Sequence, residues 1–314
     1  MQTQAIEDEK VAVVCCATSN WLPAAAVTLL SCLRHGVPAN ADFVIMLVGG
    51  GPADEAALEA FNARHSTAIR LQHVEIVEKE ILNLGRWLGH GIRLTMSRYF
   101  DERYRRVLYL DSDVLALQPI DDLLETDLKG YPLGAAIDVG FMPDLVTTAA
   151  THRADIGFDE VTPYFNSGVL LFDWRQCLSG QYLQKAVALL PTVEKSLFSE
   201  QDILNIVFRG RWRVLPPKWN VIALITEYMS CEIGIKHFTS SPKPWAEAPR
   251  FADRKFRAFY QDSLSGTPWS GFVVPGGWRW SLKGVERFLR KTLSFGKRRI
   301  LAQALERAEQ ASRV

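Results

Sequence analysis

The chain has 314 residues, 48% hydrophobic and 23% charged, the composition of a folded protein with room for one large domain or two moderate ones. The overall charge of +1 hides an asymmetry: residues 281–314 hold nine Lys/Arg against three Asp/Glu, a surplus of six that leaves the first 280 residues at −5. No apolar run is long enough to cross a bilayer, the polar, acidic stretch Met1 to Lys10 is no signal peptide, and five cysteines without metal-ligand spacing point to reduced thiols in a cytoplasmic setting.

Val11 to Cys16 is a continuous apolar run, the pattern of a strand buried on both faces, and it breaks at Ala17-Thr18-Ser19-Asn20. Trp21 to Leu33 has helical periodicity. Phe43 to Val48 predicts a second strand, closed by Gly49-Gly50-Gly51-Pro52. Ala53 to Arg64 predicts an amphipathic helix, and Ile69 to Val77 a third strand. Strand and helix alternate, which implies an α/β fold with a parallel sheet and right-handed crossovers. The three glycines lack dinucleotide-binding spacing and read as a turn.

Leu84 to Phe100 is partly helical and carries Arg86, Arg93 and Arg98. It leads into Arg106-Val107-Leu108-Tyr109-Leu110-Asp111-Ser112-Asp113-Val114, an apolar run that ends in two carboxylates. Alternation along an extended chain would point Asp111 and Asp113 to one side. Such a pair repels unless a cation sits between them, and oxygen ligands favour Mg2+ or Mn2+. The plain alternative is a solvated turn, since Asp is common there. The end of a buried strand is where open α/β sheets place ligands.

Further on, Ile120 to Leu124 predicts a short helix and Gly134 to Ile137 a strand ending at Asp138. Tyr164 to Asp173 begins polar and becomes a buried strand, Leu178 to Leu190 predicts a helix, and Ser199-Glu200-Gln201-Asp202 the acidic start of another. Trp212 to Trp219 reads as strand and proline turn, and Ile233 to Phe238 as a strand before Thr239-Ser240-Ser241-Pro242-Lys243-Pro244-Trp245.

Four of these stretches, in order, resemble glycosyltransferase family 8, the retaining sugar transferases that include lipooligosaccharide galactosyltransferases and glycogenin. They are Val107-Leu108-Tyr109-Leu110-Asp111-Ser112-Asp113, Phe165-Asn166-Ser167-Gly168-Val169-Leu170-Leu171, Glu200-Gln201-Asp202-Ile203-Leu204-Asn205, and the run His237 to Trp245. The resemblance, spanning about Val11 to Trp245, implies a nucleotide-diphospho-sugar transferase fold of glycosyltransferase A type: a mainly parallel central sheet flanked by helices. It implies that Asp111, Asp113 and His237 bind Mn2+ (Mg2+ being the alternative), and that the metal grips the diphosphate of a UDP-hexose. Arg93 and Lys243 would contact the diphosphate, with Arg86 and Arg98 as rivals of Arg93. Ser112 and Ser240 would lie beside the nucleotide, Asp138 and Asn166 would bind sugar hydroxyls, Gln201 would face the anomeric carbon, and Glu200 would touch the sugar. A histidine such as His237 would otherwise be a core residue, and Lys243 a surface one. Glu200 and Asp202 would also complement the helix dipole. Thr18 stands where the family holds uracil with a carboxylate, while Asn20 is retained and Trp21 can stack. Ser240 replaces a common glycine.

The implied activity is transfer of galactose or glucose to a glycan, lipooligosaccharide or another cell-surface saccharide. A sugar nucleotidyltransferase would want a Gly-rich basic loop where Cys16 to Trp21 stands, and a non-catalytic nucleotide-sugar or glycan-binding protein would have lost a metal ligand. Residues 278–314 form a separate basic appendage to a catalytic unit of residues 1–277. Trp278, Trp280, Leu282, Val285, Phe288, Leu289 and Leu293 interleave there with Lys and Arg, a pattern suited to an interfacial helix on anionic lipid at the inner face of the membrane. Nucleic acid is not an expected partner.

Overall fold

The protein is described by a computed structural model over residues 9–36, 40–82, 88–141, 147–192, 199–223, 225–226, 229, 232–239, 242–247, 249, 253–273 and 295–313. Its centre is a seven-stranded sheet. The strands are β1 Lys10–Thr18, β2 Ala41–Val48, β3 Arg70–His73, β4 Tyr104–Leu110, β6 Leu133–Ile137, β7 Phe165–Asp173 and β8 Trp212–Val214, and their spatial order is 3-2-1-4-7-6-8. β1, β2, β3 and β4 are mutually parallel and β8 is parallel to β6, while β7 runs antiparallel to both its neighbours.

The all-apolar strands alternate between two cores. Val11, Val13, Cys15 and Ala17 face one side with α1 (Leu22–Leu33), and Ala12, Val14 and Cys16 face the other. A strand buried on both faces needs helices on each, and these are supplied by α1 on one side and, on the other, by α8 (Tyr182–Leu189) and α9 (Ser199–Val207). The described cysteines, 15, 16, 32 and 177, are buried free thiols, and burial pushes Cys32 up to about 12.

The helices α2 (Pro52–His65), α3 (Lys79–Leu82), α4 (Leu88–Gly91), α5 (Asp121–Leu124) and α6 (Thr147–Asp155) occupy the crossovers. The helix predicted over 178–190 is two, α7 (Trp174–Ser179) and α8 (Tyr182–Leu189). Gln181 between them takes a left-handed φ of 52°, and a Cβ on Gly180 would lie 2.2 Å from the Tyr182 ring, so the chain turns there. The third strand ends at His73 rather than Val77. Its partner β2 stops at Val48, before Gly49 turns with φ 72°, and the ladder stops with it.

A second, three-stranded sheet was not expected. β5 (Val114–Ala116) pairs antiparallel with β10 (Ile235–His237), which pairs parallel with β9 (Val221–Ile222). It draws His237 beside Val114. Helix α9 (Ser199–Val207) packs on β7 and α8, and α10 (Arg254–Leu264) packs on α1.

The last helix, α11 (Phe295–Arg313), turns Leu301, Leu305 and Ala308 onto Val139, Val221, Ile222 and Ile225 of the body. That aliphatic face is covered by protein. The aromatic stretch read as lipid-seeking, 278–293, lies outside the described residues.

Candidate active site

The order β3-β2-β1-β4 reverses direction between β1 and β4, and open sheets bind ligands at such a point. β4 ends at Leu110, and the next three residues form a turn. Asp111 N–H donates to the Gly168 carbonyl (2.9 Å), the Asp113 carbonyl accepts from Phe238 N–H (2.9 Å), and Ser112 Oγ donates to the Cys16 carbonyl (2.9 Å). The two carboxylates therefore converge through a pinned turn rather than through strand alternation. Ligand atoms of Asp111, Asp113 and His237 all lie within 4.8 Å of one another. His237 Nε2 is 3.2 Å from Asp113 Oδ1 and 3.6 Å from Asp111 Oδ2.

Two carboxylates and an imidazole nitrogen are a donor set suited to Mn2+ or a similar divalent ion. The fit is tight on one side: a Cβ on Gly168 would lie 2.2 Å from His237 Cε1 and 3.0 Å from Asp111 Oδ2, so glycine is required for the cluster to close.

Repulsion within the pair is relieved by two cations of the protein itself. Arg93, 1% exposed, donates from Nη2 to Asp111 Oδ1 (2.7 Å), from Nη1 to the Ser167 carbonyl (2.7 Å) and from Nε to the His90 carbonyl (3.0 Å), and it lies over the Tyr109 ring. It is the buried counter-ion of Asp111. Lys243 Nζ donates to Asp113 Oδ2 and the Phe238 carbonyl. Burial alone would raise the Asp113 carboxyl. The charge and hydrogen bond of Lys243 work against it, and the group is held below the ordinary carboxylate range.

The second half of the site joins the start of β7, the end of β6 and the first turn of α9. Asn166 Nδ2 donates to Asp138 Oδ2 (3.0 Å), and Gly140 N–H to Asp138 Oδ1 (3.0 Å). Gln201 Nε2 donates to Asp138 Oδ2 (3.3 Å) and Tyr164 Oη (3.2 Å), while its Oε1 accepts from Ser167 N–H (2.9 Å) and Oγ (3.3 Å). The amide is held at both ends. Burial pushes Asp138 above the ordinary carboxylate range, against the pull of its Asn166, Gln201 and Gly140 bonds. Glu200 Oε1 lies 3.2 Å from His90 Nδ1 at the rim.

Asp202, in the first turn of α9 where it was expected to complement the helix dipole, also ties two other elements to that turn. It is fully buried and accepts from Tyr164 Oη (2.6 Å), with His152 Nε2 at 3.0 Å. Asn205 clamps Phe165 through both its amide ends. Tyr164, His152 and Asn205 gave no local signal of these roles, nor did Asn220, which lies 2.8 Å from Asn166 and 2.9 Å from His237.

On the nucleoside side, Thr18 ends β1 in extended conformation and makes no capping bond. Asn20 is exposed, and Trp21, 38% exposed, stands edge-on to Trp245 at 5.7 Å. Ser240 and Arg86 lie outside the described residues.

The architecture is that of a nucleotide-diphospho-sugar transferase of glycosyltransferase A type: the structure of galactosyltransferase LgtC with donor and acceptor sugar analogues matches 83% of this chain and 100% of its own at TM-score 0.72 and 22% identity. The glycosyl transferase family 8 profile matches residues 12–248, and the chain belongs to that family. Among its relatives, a lipopolysaccharide 1,2-glucosyltransferase of Escherichia coli is 28% identical over 56% of this chain and 54% of its own, and general stress protein A of Bacillus subtilis is 22% identical over 86% and 98%. The chain thus spans about half the length of the lipopolysaccharide glucosyltransferases it matches.

Proposed function

We propose that the chain is a metal-dependent retaining hexosyltransferase that moves galactose or glucose from a UDP-sugar to a saccharide, lipopolysaccharide or another cell-surface glycan. The observation that carries this is the Asp111, Asp113, His237 cluster placed at the sheet's switch point beside the Asp138–Gln201 network. Relatives named as lipopolysaccharide glucosyltransferase and, in Salmonella typhimurium, lipopolysaccharide 1,3-galactosyltransferase support the substrate class.

Asp111, Asp113 and His237 would hold the divalent ion, Mn2+ in preference to Mg2+ because one ligand is an imidazole. When bound, such an ion neutralises charge on a departing diphosphate. Lys243 would shift from Asp113 to a phosphate oxygen. Asp138 and Asn166 accept and donate where hexose hydroxyls would lie, with Glu200 at the rim. Gln201 would place its carbonyl dipole towards C1, where positive charge grows as the C1–O bond breaks. Its lone pairs already take two bonds from Ser167, and an amide so engaged is a poor nucleophile. We therefore favour front-face transfer, in which the acceptor hydroxyl forms the new bond on the departing side and gives its proton to the leaving phosphate oxygen.

Thr18 and Asn20 would contact the uridine, with Ser112 and Ser240 near the phosphates. Residues 278–314 would serve as a basic appendage to the unit of residues 1–277, and 278–294 with the basic residues after it would meet anionic lipid at the cytoplasmic face. Among the described residues no helix is long and apolar enough to cross a membrane. The test of the reaction is the anomeric configuration of the first product formed from each UDP-hexose, read by NMR. Retention with UDP-galactose or UDP-glucose supports the proposal. Inversion, or no transfer to any saccharide from a panel of truncated lipopolysaccharide cores, contradicts it.

A further inference from the structure

His237 is tied to the sugar half of the site by two asparagines whose amide orientations are fixed by their partners. Gly168 N–H, which can only donate, points at Asn166 Oδ1 (3.0 Å). That makes Oδ1 the accepting end and leaves Nδ2 to donate to the Asp138 carboxylate (3.0 Å). Asn166 Oδ1 also lies 2.8 Å from Asn220, whose facing atom must then be Nδ2. The other end of Asn220, Oδ1, is 2.9 Å from His237 Nδ1. A carbonyl oxygen in that place requires a proton on Nδ1. The neutral imidazole then carries its lone pair on Nε2, the atom that faces Asp113 and Asp111.

Asn220 is well placed to impose this choice. It is 4% exposed, its N–H donates to the Pro217 carbonyl (3.1 Å), and it is flanked by buried Trp219 and by β9, which is paired with β10 in the register Ile222 to His237. Asn220, immediately before β9, and His237, at the end of β10, are thus held side by side at one small sheet. Val221 and Ile222 pack under Leu301 and Leu305 of α11, so the last helix of the chain supports the same sheet.

We propose that Asn220 is a positioning residue that locks His237 in the Nδ1–H tautomer, so that the Nε2 lone pair is presented between Asp111 and Asp113. Through Asn166 the lock is referred to the Asp138 carboxylate, and one hydrogen-bonded line joins the metal side of the site to the sugar side. The inference rests on the reading of His237 as a metal ligand, and it identifies what holds that ligand in its binding form. Partners of this kind on a ligating histidine are worth roughly 10- to 100-fold in metal affinity.

The test uses the full-length protein labelled with 15N in histidine, without added metal, with the His237 signals assigned by their loss in His237→Gln. Long-range 1H–15N spectra at a pH where the ring is neutral distinguish the two tautomers directly. The expected wild-type result is Nδ1–H with bare Nε2. Asn220→Leu removes the acceptor at similar volume and is expected to lose this preference, with Mn2+ affinity in the presence of UDP falling about 10- to 100-fold by calorimetry. Asn220→Asp restores an acceptor to Nδ1–H and is expected to keep both the tautomer and Mn2+ binding. It cannot donate to Asn166, so its loss should appear as weaker binding of UDP-hexose relative to UDP. An Nε2–H tautomer in the wild type, or an Asn220→Leu protein that keeps both tautomer and Mn2+ affinity, overturns the proposal. Should Asn220→Leu fail to fold, the wild-type spectrum and Asn220→Asp still decide it. An Nδ1–H tautomer in a wild type that binds no Mn2+ even with UDP would instead overturn the metal reading and leave the tautomer lock standing.

Discussion

Lys243 donates from Nζ to the carboxylate of Asp113, so a residue expected on a diphosphate lies on a residue expected on a metal. With Arg93 on Asp111, each carboxylate of the pair already has its own cation. A divalent ion entering this cluster would bring a surplus of two positive charges, which a diphosphate would offset.

The first expected outcome is therefore linkage between metal and nucleotide. Mn2+ titrated alone must compete with Lys243 for Asp113 and should bind weakly, and UDP should tighten it by a factor of about 10 or more, reciprocally. Lys243→Ala should bind Mn2+ alone at least as well as wild type and lose most of the enhancement. Calorimetric titrations with and without UDP measure this. Equal Mn2+ affinity in wild type with and without UDP would contradict it.

Arg93 is a structural cation, the buried partner of Asp111. Removing one partner of a buried ion pair leaves a desolvated charge, at a cost of about 3–5 kcal/mol. Asp111 keeps some solvent contact, with a side chain 17% exposed, so the lower end applies. Arg93→Met should lower stability by about 3 kcal/mol in urea unfolding. A loss below about 1 kcal/mol would show that Asp111 is otherwise satisfied.

Gly168 tests the closeness of the cluster. The methyl of Gly168→Ala would meet His237 Cε1 and Asp111 Oδ2, and the ring must move to admit it. The expected result is a folded protein with Mn2+ affinity reduced more than tenfold by loss of a ligand's geometry. Unchanged Mn2+ binding would mean that His237 is not held where the cluster needs it.

His90 gives a pH signature. Burial would lower its pKa, but the hydrogen bond and charge of Glu200 outweigh that and leave it raised. A raised histidine stabilises the fold fully below its unfolded pKa, about 6.5, and the contribution disappears as pH rises through the folded value. Wild type should thus be more stable than His90→Gln at pH 6 and the two should converge in the alkaline range. The side chain is 43% exposed, so the difference is small, and thermal melts across pH resolve it. A gap that widens with pH would refute the pairing.

Much of this was legible in the sequence because buried parallel strands are continuous apolar runs: Val11 to Cys16, Phe43 to Val48 and Val107 to Leu110 all became strands. The direction of β7 was not legible, since a strand buried on both faces has the same pattern in either direction. Nor was the small sheet, whose strands have only two or three residues. Asp202 reads in the sequence as a helix-start acid and nothing more, because its partners Tyr164 and His152 lie 38 and 50 residues away. Asn220 sits between a proline turn and a two-residue strand, and its partners are 17 and 54 residues distant. A lone polar residue acquires such a role through tertiary contacts alone. Asp111, Asp113 and His237 come within 4.8 Å of one another only in the fold, and the cations that neutralise the two carboxylates, Arg93 and Lys243, are likewise set by tertiary contacts.

The most direct test of the central claim is release of UDP from UDP-galactose and UDP-glucose by the purified chain with Mn2+, with and without a saccharide acceptor. Turnover of one donor, abolished by EDTA, restored by Mn2+ and absent in Asp113→Ala, is the result expected. Turnover that survives both EDTA and Asp113→Ala would contradict a metal-dependent transferase built on Asp111, Asp113 and His237.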